Sequence, residues 1–287
     1  MENYNHGMRD TMDGKNMPMT SVSSGKGEEI LPDVYNFTNQ IVNLCFVGNA
    51  EHWVLVDTGM PDSAKTIVEE AEKRFGKGCR PRAIILTHGH FDHVGAVVDL
   101  VEKWEVPVYA HEAELLYLTG KLDYPEPDSS VEGGMVAKIS RFFPNKAVDL
   151  GNHVLALPEN GTVPLMPEWK WYHTPGHSPG HISLFREKDH TLIAGDAFVT
   201  VRQDVLYKVL VQKKEVHGPP RYFTTDWDLA FTSVKKLESL KPKTAVTGHG
   251  SPMAGEELQN GLKELVNKFE QVAVPDHGKF VKGDQNR

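Results

Sequence analysis

The sequence predicts an α/β fold on two observations. Apolar runs of strand length alternate with stretches whose apolar residues recur at helical spacing, and several of those runs end directly in Asp, Gly or His. With 287 residues, 39% hydrophobic and 24% charged, the chain is long enough to bury a large core, and neither disorder nor a membrane class is indicated.

Residues 1–29 are rich in Met, Asn, Gly, Ser and charge without periodicity, which reads as a flexible tail ahead of one domain spanning 30–287. IVNLCFV and WVLVD then read as strands, and DSAKTIVEEAEKRFG as a helix with Ile67, Ala71 and Phe75 on one face and Gly76 as its stop. RAIILT is a short buried-type strand that runs straight into HGHFDH. After it, Val94, Val97, Val98, Val101 and Trp104 mark an amphipathic helix, so the histidine run sits at a strand-to-helix turn. VPVYA, EWKWYHT, HISLFR, TLIAGD and TAVTG supply further strands, and DWDLAFTSVKKLESL and EELQNGLKELVNKFEQV two more helices. Residues 118–167 and 199–222 resist this reading and are candidate substrate-facing loops. WVLVDTG and TLIAGD are each a strand ending in a carboxylate, a hint of duplicated architecture.

Composition narrows the function classes. No stretch reaches transmembrane length, and the first twenty residues lack the apolar core of a secretory signal, so a cytoplasmic protein away from membranes is expected. Cys45 and Cys79 are then expected to be reduced thiols that fill space. A net charge of -8 without a basic cluster argues against nucleic acid as a partner and leaves a small molecule as the expected substrate. Oligomeric state is not legible.

In HGHFDH, His88 and His90 leave a strand end on the same side, and Asp92 and His93 turn toward a second position at the helix start. Isolated histidines in a chain with 14 of them are mostly core or surface residues, but a full HxHxDH run is a metal-binding pattern, because imidazole and carboxylate suit zinc and similar divalent ions.

HGHFDH is followed by TPGHSPGH, AGD and TGHG, and in that order the chain resembles the metallo-β-lactamase superfamily from residue 30 to about residue 272. The resemblance implies an αββα four-layer sandwich, two mixed sheets with helices outside and metals at one rim. Carried over by position, it implies that His88, His90 and His177 hold one metal, Asp92, His93 and His249 a second, and that Asp196 bridges them. Asp57 of the DTG turn matches a position that orients ligating imidazoles, and His181 one that lies near the metals without ligating. The implied cofactors are two divalent ions, zinc by preference, with iron or manganese accepting the same set. The implied chemistry is a hydroxide between two cations about 3.5 to 4 Å apart attacking a carbonyl carbon, with Asp92 orienting it and moving its proton. Tyr207 or Tyr222, in the irregular segment, would be an extra oxyanion donor.

Within the superfamily, retention of His90 separates the chain from flavodiiron members, and the absence of a signal peptide from secreted β-lactamases. Nuclease and phosphodiesterase branches find no electrostatic support in an acidic chain. The expectation is therefore a lactonase, thioesterase or glyoxalase II-like hydrolase of small esters, lactones or thioesters. Two departures stand against particular members: Ala197, Phe198 and Val199 follow Asp196 where lactonases place a Tyr, and GKFVKGDQNR lacks the basic glutathione cluster of glyoxalase II. A mononuclear iron enzyme of the sulfur dioxygenase type is the alternative, separable by metal content.

Overall fold

The computed structural model describes residues 20–132 and 134–281. Strands β1 (Gly27–Leu31), β2 (Val34–Asn39), β3 (Val42–Gly48), β4 (Trp53–Val56), β5 (Ile84–Ile85), β6 (Val108–Ala110) and β7 (Val154–Ala156) form one sheet in chain order. It is antiparallel from β1 to β4 and parallel from β4 to β7. The second sheet has the order β12-β11-β10-β9-β8, built from β8 (Trp169–His173), β9 (Ile182–Arg186), β10 (Thr191–Gly195), β11 (Thr244–Thr247) and β12 (Met253–Ala254). Only its β10 and β11 run parallel.

The helices among the described residues are α1 (Ala64–Phe75), α2 (Phe91–Val94), α3 (Val97–Trp104), α4 (Leu115–Leu118), α5 (Met135–Ile139), α6 (Leu206–Val211), α7 (Trp227–Ser239), α8 (Gly255–Asn267) and α9 (Phe269–Val272). Strand alternation sorts the layers. On β4, Trp53 and Leu55 pack with Ile67 of α1 and Leu100 of α3, whereas Val54 and Val56 pack with Leu184, Ile193 and Val246 of the other sheet. On β10, Leu192 and Ala194 turn away from that layer to Val234 of α7 and Leu262 of α8. The order is helix, sheet, sheet, helix, the sandwich the resemblance implies. Each fully buried aliphatic side chain in these layers contributes roughly 1.5–3 kcal/mol.

At one rim the two sheets are pinned by charge. Arg186, at the end of β9 and 1% exposed, donates from Nη1 and Nη2 to Asp33 in the β1–β2 turn at 2.5 and 3.0 Å. At the opposite rim the carboxyl ends of β4, β5, β10 and β11 open into loops.

Several elements differ from expectation. The tail boundary at residue 29 falls inside β1, and residues ahead of that strand are tied down as well. Ser21 donates to the Gln40 carbonyl at 2.7 Å, and the Val22 and Gly25 amides bond the carbonyls of Leu210 and Thr38. Residues 1–19 of the expected tail lie outside the described residues. The RAIILT strand is confined to Ile84–Ile85, because the chain turns toward His88. The irregular segments contain α5, β7 and α6. Cys45 and Cys79 are free thiols, Cys45 buried between the sheets. Among the described residues no helix is long and apolar enough to cross a membrane.

Candidate metal centre

Five loops converge on the open rim. Asp57 follows β4; His88, His90, Asp92 and His93 follow β5 and enter α2; His177 lies in the β8–β9 turn; Asp196 follows β10 and His249 follows β11. Of the seven residues expected to ligate, none is more than 6% exposed. Their donor atoms fall into three groups, each within 4.8 Å: His88 with His90 and His177, His88 with His93 and Asp196, and Asp92 with His93 and His249.

Hydrogen bonds to the far side of each ring decide which nitrogen faces the centre. His93 Nδ1–H donates to Asp57 Oδ2 at 2.8 Å and His249 Nδ1–H to the Ile41 carbonyl at 3.0 Å. The hydroxyls of Thr87 and Thr224 give their protons to Asp57 and to the Pro220 carbonyl, so each accepts from an imidazole, His88 Nδ1–H at 3.1 Å and His177 Nδ1–H at 3.3 Å. All four rings therefore turn Nε2 inward, while His90 presents Nδ1, 2.9 Å from His177 Nε2. This is the tautomer pattern that holds imidazoles ready for a cation. His88 Nε2, His93 Nε2, Asp92 Oδ1 and Asp196 Oδ1 are buried without a hydrogen-bond partner, an arrangement a divalent ion would satisfy. The donor set fits the metals the motif implies.

Charge distribution agrees. Burial pushes His88 and His177 well below the ordinary imidazole range and His90 down to about 4, which leaves their lone pairs free at neutral pH. Burial also opposes charge on His249 and His93, but Asp196, with Asp92 and Asp57, outweighs it and lifts His249 to about 10. Two buried carboxylates thus call for positive charge between them.

Asp57 sits in a left-handed turn at φ 60° and also accepts from the Thr87 amide at 2.8 Å, so one carboxylate holds both the β5 loop and the His93 ring. His181 is committed on both sides: Nε2 accepts from the Asp196 amide at 2.8 Å and Nδ1–H donates to the Thr174 carbonyl at 3.1 Å. It supports the Asp196 backbone and has no lone pair left to ligate.

Beside His90 and His177 lies a chamber walled by Tyr124, Tyr222, Phe223 and Phe280. Tyr222 is thus brought to the site, but Tyr207 is not: it stands 70% exposed on the side of α6 away from buried Val209 and lines no part of the chamber. Tyr124, Phe223, Phe280 and the buried Glu114 escape sequence reading. Tyr124 and Phe223 stand in or beside the irregular segments already marked as substrate-facing, which is the only signal that pointed toward them.

The fold and the site together define a metal-dependent hydrolase. A model of the metallo-β-lactamase superfamily matches residues 38–249, and the chain belongs to that superfamily. It is 50% identical over 259 residues to the probable metallo-hydrolase YflN of Bacillus subtilis (strain 168), covering 89% of this chain and 98% of the relative. It is 31% identical over 218 residues to the probable metallo-hydrolase YybB of the same strain, covering 76% and 84%. Among solved structures, TTHA1623 in a di-iron-bound form is similar at a TM-score of 0.53 and 29% identity, covering 79% of this chain and 94% of that one. BJP-1, a subclass B3 metallo-β-lactamase of Bradyrhizobium japonicum, is similar in fold at a TM-score of 0.57 and 18% identity, covering 88% and 94%.

Proposed function

We propose that the chain is a dinuclear hydrolase of small carboxylic esters, lactones or thioesters. The observation that carries this reading is the reach of Asp196: its Oδ2 lies 3.4 Å from His177 Nε2 in the first cluster and 3.3 Å from His249 Nε2 in the second. A carboxylate so shared supports two cations rather than one. Zinc suits the donor set best, and iron or manganese accepts it, as the di-iron form of TTHA1623 illustrates for that protein. Divalent ions held here would acidify a water molecule and polarise a carbonyl oxygen.

The chain's own groups supply the rest. Asp92 stays ionised: burial opposes its charge, but the facing His249 and His93 outweigh burial. Its carboxylate can orient an attacking water and take up the proton. Burial, with the negative charges of Asp92 and Asp196, keeps the Tyr222 phenol protonated, so it is a donor toward the oxygen on which charge develops. Phe223 and Phe280 give that chamber apolar walls.

The test is a screen of metal-loaded protein across lactones, thioesters, aryl esters, β-lactams and phosphodiesters, with metal content measured on the same sample. Ester-type turnover, lost with a chelator and restored by zinc, manganese or cobalt, and about two ions per chain are expected. Tyr222→Phe should lower kcat by about 10²-fold with metal content unchanged. Turnover that survives metal removal, or one iron per chain with oxygen consumption, overturns the reading.

A further inference from the structure

Glu114 lies outside the ligand set, at the end of the short turn Glu112–Glu114 after β6, and is fully buried at 0% exposure. Its Oε1 accepts from the Ser178 hydroxyl at 2.7 Å and from the Gly180 amide at 2.7 Å. Its Oε2 accepts from the Gly89 amide at 3.0 Å and from the Tyr124 hydroxyl. Four donors fill the acceptor sites of one carboxylate. Gly89 separates His88 from His90, and Ser178 follows His177, so this side chain bonds both loops that carry the first cluster.

The glycines record how closely the loops approach it. A Cβ on Gly180 would lie 2.7 Å from Glu114 Cγ, and one on Gly89 would lie 2.6 Å from the Tyr124 hydroxyl oxygen, closer than real Cβ atoms come. Tyr124 is itself held in place, stacked on Tyr117 with ring centroids 4.0 Å apart and against His90 at 4.7 Å. The second cluster rests on other supports, Asp57 behind His93 and the Ile41 carbonyl behind His249.

We propose that Glu114, with Tyr124 as its second arm, is a positioning residue that clamps the HGH loop to the HSPG turn. The clamp sets the spacing of His88, His90 and His177 and so governs the affinity of the first metal position without governing the second. This inference rests on the dinuclear reading of the site. A buried carboxylate facing four donors is not replaced by its isostere: the glutamine amide would set its own N–H groups against two of them and leave them unpaired.

The experiment is stripping and reloading of purified full-length protein with zinc or cobalt under chelator competition, alongside melting of the metal-free form. His177→Ala and Asp92→Asn serve as references that mark which ion belongs to which cluster. Glu114→Gln should weaken the first ion by about 10- to 100-fold and leave the second within about twofold, with cobalt absorption altered for the first ion only. Tyr124→Phe and Ser178→Ala, which each remove one donor, should act in the same direction by less and carry the test if Glu114→Gln does not fold. Unchanged affinity for the first ion overturns the clamp, as does equal weakening of both ions in step with lost metal-free stability. A wild-type protein that holds one ion refutes the dinuclear reading instead. The clamp then stands or falls on whether Glu114→Gln weakens that ion.

Discussion

Asp92 and Asp196 each place a carboxylate oxygen 3.3 Å from His249 Nε2, yet only Asp196 also reaches His177. Their loss should therefore differ in kind. Asp196→Ala removes the one oxygen shared by the two clusters, so metal content and turnover should fall together, and stability with them, since metal binding free energy adds to folding. Asp92→Asn keeps a neutral oxygen at the second cluster and loses the charge that, in the proposed function, takes up a proton; the first ion should stay bound while the rate drops by about 10² to 10⁴. Metal analysis and turnover on the same preparations decide. Two tightly held ions in Asp196→Ala, or near wild-type rates in Asp92→Asn, would show the assigned roles to be wrong. At this scale the ligand candidates are legible in the sequence because their spacing is contiguous or sits in short motifs. Glu114 is not, since an acid in HEAELL looks like any solvated helix residue until the fold folds two distant loops onto it.

Secondary elements were legible where their burial is one-sided or continuous. The apolar β3, β9, β10 and β11 read directly as strands, and α1, α3, α7 and α8 as helices. β2 is hidden because its VYNFTN sequence turns polar residues inward: Asn36 and Thr38 are buried, and the Asn36 amide and Thr38 hydroxyl both donate to Asn43 Oδ1 of β3. β1 is hidden because its exposed acids imitate a tail, although the strand pairs with β2 from Gly27 onward. Deleting residues 1–31 should therefore lower the melting temperature by several degrees, because it strips β1 from the sheet edge and removes the Ser21 and Val22 bonds to Gln40 and Leu210. Deleting only residues 1–19 leaves those contacts in place and is the control. Equal melting temperatures for the longer deletion and the full chain would count against a structural role for β1.

For the molecule as a whole, folding holds some bases uncharged that the unfolded chain would protonate. Burial, aided by the Arg221 charge, brings His217 down from 6.5 to about 4. Between those values the unfolded chain binds the extra proton, so the contribution of His217 to stability is full above pH 6.5 and is lost as pH falls toward 4. In urea titrations of metal-free protein, His217→Gln should show a shallower loss across that window than the wild type; parallel slopes would remove His217 from the account. The same scale gives the Arg186–Asp33 pair a meaning beyond local charge satisfaction. It joins the sheets across 153 residues of sequence at one rim, while the rim opposite gathers His88 and His90 from one sheet and His177, 87 residues beyond His90, from the other. The sandwich is bound like a book, its spine stitched by arginine and aspartate and its fore-edge closed by a clasp of imidazoles. A chelator would undo the clasp and leave the spine sewn, so the pages should part first at the edge where chemistry is done.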